Sequence, residues 1–134
     1  MTGADAPTTT LEHVVDIDAS PQTVFEMWTT ADGLAAWWGR AAAVDARPGG
    51  EIRVVVDDTH VMSGRFVTVD PPGEVVFTFG WEGGELAPGD STVSVTIAAT
   101  ETGSRMVLRH DGLPLDLVGS HAAGWTHFLS ILAS

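Results

Sequence analysis

The chain has 134 residues, with eighteen acidic side chains against six basic ones, a formal charge of −12, and every base is an arginine. With no lysine, cysteine or tyrosine, Schiff-base, thiolate, disulfide and tyrosine acid chemistry are excluded, leaving His, Asp, Glu, Ser, Thr and Arg to carry any reaction. The acidic balance, with arginines spread from Arg40 to Arg109, also argues against nucleic acid and anionic membrane as partners.

Residues 1–10 (MTGADAPTTT) are small and polar and read as a flexible tail, with residues 11–134 forming one domain. The tail lacks the charged start and apolar run of a secretory signal. No stretch approaches the roughly 20 apolar residues of a membrane helix, so a cytoplasmic location is expected. Leu11 to Asp18 alternates, which places Leu11, His13, Val15 and Ile17 on one face of a half-buried strand. Ser20-Pro21 reads as the N-cap and first residue of a helix whose apolar stripe is Val24, Phe25 and Trp28. A break from Thr30 to Gly33 precedes a second short helix carrying Leu34, Trp37 and Trp38.

From Arg40 the texture changes to strands and turns. Strands are predicted over Ala41 to Ala46, Glu51 to Asp57, His60 to Asp70, Glu74 to Glu82, Ser91 to Thr100 and Ser104 to Asp111. Pro48-Gly49-Gly50, Asp58, Pro71-Pro72-Gly73, the Gly83–Asp90 loop and Glu101-Thr102-Gly103 separate them. Connections this short imply antiparallel neighbours. From Asp116 onward, apolar residues at Val118, Ala122, Trp125, Leu129 and Leu132 mark one face of a long helix, with His121 on that face and His127 opposite.

This order predicts an α+β fold. A curved antiparallel sheet of about six to seven strands wraps on the C-terminal helix, and two short helices follow the first strand. A curved sheet and a straight helix diverge, so a cavity is expected between them.

The segment DASPQTVFEMWTTADGLAAWWG resembles the opening signature of the SRPBCC (START-like, helix-grip) superfamily, and more narrowly the bacterial, AHSA-type homologues of the activator of the heat-shock-protein-90 ATPase. Pro48-Gly49-Gly50, Gly64 followed by Phe66 and Asp70-Pro71-Pro72, the run Val75 to Trp81, MVLRHDGL and HAAGWTHFLSIL extend the likeness from Leu11 to Leu132. The resemblance implies the helix-grip fold. It also implies a choice of roles, since the superfamily includes carriers, cyclases, hydrolases and partner-binding domains.

Histidine is the residue type best suited to proton transfer inside such a cavity. Met106, Leu108 and His110 share the inward face of the last strand, so His110 is a candidate acid/base or ligand donor, or else a tie that holds the Asp111-Gly112 turn. His121, one turn before Trp125, is the second candidate. With His13 these could approach one point from three elements, as a zinc site needs, but no His-x-x-x-His pair or acidic partner accompanies them, and no metal is expected. Trp28 and Trp37 read as core; Trp38, Phe77, Phe79, Trp81 and Trp125, with His110 and His121, read as the ligand-binding wall. Arg65 faces inward if Asp58-Thr59 forms a tight hairpin and outward if Gly64 marks a bulge, and the facing of His60 stays open with it. No G-x-S-x-G, H-E-x-x-H, phosphate loop or dinucleotide fingerprint is present, so no cofactor is expected.

The primary expectation is binding of a small hydrophobic or aromatic molecule in the cavity. The alternatives are a cyclase, hydrolase or dehydratase using a histidine acid/base, and a chaperone-cofactor domain. An exposed strand or the short helices could pair two copies in a homodimer.

Overall fold

A computed structural model describes residues 7–134. Its strands are β1 (Thr8–Ile17), β2 (Ala41–Val44), β3 (Glu51–Val55), β4 (Val61–Asp70), β5 (Glu74–Trp81), β6 (Ser91–Ala99) and β7 (Ser104–Pro114). They form one open antiparallel sheet in the order β1-β7-β6-β5-β4-β3-β2. Helices α1 (Pro21–Thr29) and α2 (Ala31–Trp37) follow the first strand, and α3 (Val118–Leu132) comes last. This is the expected α+β helix-grip arrangement, a curved sheet with a C-terminal helix. No helix among the described residues is long and apolar enough to cross a membrane.

The first strand is longer than its apolar alternation suggests. It begins at Thr8 because β7 runs on past Asp111, pairing Thr8 with Pro114 and Thr9 with Leu113. A register shift between Thr9 and Leu11 lies opposite Gly112, whose φ of +82° only glycine adopts without strain. Thr8 to Thr10 therefore belong to the sheet and not to a tail; residues 1–6 of the expected tail lie outside the described residues.

Local chemistry explains the two short helices. Ser20 Oγ accepts from the Thr23 N–H at 3.2 Å, with Pro21 at the first helical position. The expected break contracts to one residue, Thr30, which ends α1 and caps α2. Its N–H donates to Glu26 O at 3.2 Å, while its Oγ1 accepts from the Gly33 N–H at 3.0 Å and donates to Glu26 O at 2.9 Å. A Cβ on Gly33 would lie 2.4 Å from Glu26 O, so glycine is what permits the elbow to be this tight.

The core lies on the concave face of the sheet. Ile52, Met62, Phe66, Phe77, Val93, Val95, Met106 and Leu108 are buried there against Trp28 and Leu34 of the short helices and Trp125, Leu129 and Leu132 of α3. Each such side chain contributes roughly 1.5–3 kcal/mol by leaving water. Charge stays outside: Arg105–Asp16, Arg53–Glu82, Arg40–Asp58 and Arg47–Asp45 are exposed ion pairs that add little.

The turn between β3 and β4 decides Arg65. Val55 pairs with Val61 and Ile52 with Gly64, a register one residue away from that of a tight Asp58-Thr59 hairpin. Arg65 consequently opposes Glu51, is exposed, and donates from Nη1 to Gly49 O at 3.0 Å. The inward position conditional on the tight turn is not adopted.

Candidate functional site

Four elements enclose a partly open cavity of about 180 Å3. The α3 positions Ser120, His121, Gly124, Trp125 and Phe128 form one wall; Phe79 and Trp81 rise from β5; Trp38 closes α2; and His60 stands at the entry to β4. The helix contributes residues at spacings of 3, 1 and 3 after His121, a second stripe beside the one that packs the core. Trp38 is sandwiched, its ring 5.2 Å from Trp37 and 6.2 Å from Phe79, nearly parallel to both. Trp125 lies 5.2 Å from Trp38 and 6.0 Å from Phe79.

Two tryptophan–histidine hydrogen bonds organise this wall. Deeper in, the Trp125 indole N–H donates to His110 Nδ1 at 3.0 Å. That acceptor role places the proton of neutral His110 on Nε2, which lies 2.9 Å from Ser91 Oγ, and Ser91 in turn donates to Phe79 O at 2.8 Å. Every polar atom of this Trp125–His110–Ser91–Phe79 relay is satisfied with the imidazole neutral, and a protonated Nδ1 would face an N–H. His110 is fully buried; burial first, then the neighbouring His121, pushes its pKa down to about 3.

Nearer solvent, the Trp81 indole N–H donates to His121 Nε2 at 2.9 Å, and His121 Nδ1–H donates to Leu117 O at 2.8 Å. At the mouth His60 Nδ1 lies 2.8 Å from Asp57 Oδ1, and the ring meets Trp81 edge-on at 5.6 Å. The Thr59 backbone N–H, followed by the His60 imidazole, holds the Asp57 carboxyl down at about 2.

Of the residues expected in the wall, Trp38, Phe79, Trp81, His121 and Trp125 line the cavity. Phe77 and His110 do not. Phe77 is covered by Trp28 and Trp38 at 6.1 and 6.4 Å, and His110 stands behind Phe79 and Trp125. His60, whose facing the sequence left open, takes a place at the mouth; Ser120, Gly124 and Phe128 were not anticipated. Trp28 and Trp37 are core, their indoles bonded to Met106 Sδ and Met27 O. Among the described residues no three of His, Asp and Glu are grouped to hold a metal ion. His13 does not join His110 and His121 in such a group, and its buried Nε2 has no hydrogen-bond partner among the described residues.

The family model for activator of Hsp90 ATPase homolog 1-like proteins, AHSA1, matches residues 18–134. The chain belongs to this family. Its AHSA1 fold is similar to that of an AHSA1-like protein of Rhizobium etli at 30% identity, covering 95% of this chain and 81% of that one, with a TM-score of 0.75. It is also similar to an Aha1 dimer from Colwellia psychrerythraea, 19% identical over 93% of each chain, TM-score 0.82. A protein of Chromobacterium violaceum, 22% identical, shares 92% of this AHSA1 chain and 94% of its own, with a TM-score of 0.79. A comparison with curated proteins finds no match.

Proposed function

We propose that this AHSA1-family chain binds a small hydrophobic or aromatic molecule in the cavity between β5 and α3. The observation that supports this most is the wall itself: three indoles and two phenyl rings face about 180 Å3 of space that the core leaves unfilled. A surface that existed only for packing would close such a gap, because interiors are close-packed. Trp38, Trp81, Trp125 and Phe79 would hold the ligand by face and edge contacts, with His121 fixing Trp81. His110 would act as a positioning residue behind Trp125. The protein would work in the cytoplasm.

The enzyme reading has less support. Each candidate imidazole already spends its lone pair on an indole N–H and its own N–H on the protein, so neither offers a free base at the cavity. The family's name favours chaperone-ATPase activation as a second reading, which would use an exterior surface. The Colwellia protein is a dimer, and β1 and β2 are the edge strands through which two copies of this chain could pair.

Titration with a hydrophobic probe dye tests the binding reading. Trp81→Ala should weaken dye binding about tenfold while far-UV circular dichroism stays unchanged. Unaltered dye affinity in a folded variant would remove the cavity as the binding site.

A further inference from the structure

Resting on that reading, we infer that the cavity selects by charge: it takes an uncharged or amine-bearing compound of one or two aromatic rings and rejects the matching carboxylate. Size sets the first limit. A cavity of about 150 Å3 accommodates a single benzene ring, so 180 Å3 encloses one ring or a fused pair, and a long acyl chain or a polycycle would extend through the open mouth into water.

The position of every arginine sets the second. Among the described residues, no basic side chain other than histidine lines the cavity. Five arginines are paired with acids elsewhere, Arg40 with Asp58, Arg47 with Asp45, Arg53 with Glu82, Arg105 with Asp16 and Arg109 with Glu12; the sixth, Arg65, lies on the outer face. The chain has no lysine. A carboxylate in the cavity would therefore lose its hydration without gaining a counter-charge.

The two histidines of the wall do not supply one. His121 Nε2 already accepts the Trp81 N–H, and any charge on His60 is balanced by Asp57 at 2.8 Å. What remains unspent at the mouth is acceptor capacity. Ser120 gives its hydroxyl proton to Leu117 O, which leaves its oxygen as an acceptor at the cavity wall. Acceptors suit an O–H, an N–H or an ammonium. The faces of five aromatic rings, negative at their centres, favour the same ligands, and the charge of −12 lowers the local concentration of anions.

The experiment compares 4-methylphenol, indole, benzylamine, 4-methylbenzoate and decanol by tryptophan-fluorescence quenching at neutral pH, with the probe dye as reference. Methylphenol, indole and benzylamine should each bind at least tenfold more tightly than methylbenzoate. Ser120→Arg, an exposed change at the cavity wall, should raise methylbenzoate affinity at least fivefold. Equal affinity for methylphenol and methylbenzoate, or no gain in Ser120→Arg, overturns the charge rule while leaving the cavity as a binding site. Decanol binding above all the arenes overturns the size limit. If neither the dye nor any arene binds, the binding reading fails and this inference fails with it.

Discussion

The two tryptophan–histidine pairs use the same chemistry in two settings. Trp125–His110 lies in the interior, continues through Ser91 to the Phe79 carbonyl, and has no contact with water on the histidine side. Trp81–His121 is half-buried, ends at the N-cap of α3 on Leu117 O, and faces the cavity. Both indoles are oriented by an imidazole acceptor. The inner pair sits where an unpaired N–H would find no substitute, whereas the outer one can be rescued by solvent or a ligand. The difference separates what holds the wall in place from what would meet the proposed ligand.

The largest effect that sharpens this contrast is on stability. Trp125→Ala removes a buried indole and strands His110, and should cost about 3–5 kcal/mol in urea unfolding. Trp81→Ala, at the half-buried position, should cost about 1–2 kcal/mol. Equal losses would break the distinction between the two pairs.

pH supplies the next test. The unfolded His110 takes up a proton near pH 6.5, whereas the folded one stays neutral down to about 3. Between those values the unfolded chain holds more protons, so stability falls as pH falls, by about 2 kcal/mol at roughly pH 5 from this group alone. His110→Leu should start lower by about 1–3 kcal/mol, since the Trp125 N–H is left unpaired, yet lose that part of the pH slope. A variant with the parent's slope would show that His110 is not the titrating group. The smallest effect is expected at the outer pair: His121→Leu should shift unfolding by less than about 1 kcal/mol, while altering dye affinity more than stability. A change in stability that exceeds that of His110→Leu would reverse the ranking of the two pairs.

Much of the architecture is legible in local pattern. Alternation in Leu11 to Ile17 and Val75 to Trp81, the Ser20-Pro21 start and the Val118 to Leu132 stripe each correspond to the element observed. Periodicity identifies a face but not a depth, which is why Phe77 and Phe79 look alike in sequence and only Phe79 reaches the cavity. His110 shares that fate. Thr8 to Thr10 carry no apolar signal, and their place in β1 depends on a partner about a hundred residues away in β7. Arg65 turned on one residue of hairpin length. His121, Gly124, Trp125 and Phe128 form a visible i, i+3, i+4, i+7 stripe, so Phe128 could have been found from the helix alone. The position of His60 depends on how the Asp57 turn closes, which no local pattern carries.

The Thr30 elbow has a consequence for kinetics. Because one residue caps both short helices and Gly33 sits hard against Glu26 O, α1 and α2 have no hinge between them, and Trp38 is carried on a stiff bracket braced by Trp37. The floor of the cavity would thus be preorganised for the proposed ligand. Association should proceed without a slow rearrangement step, at a rate linear in ligand concentration, with differences among ligands expressed in how quickly they leave.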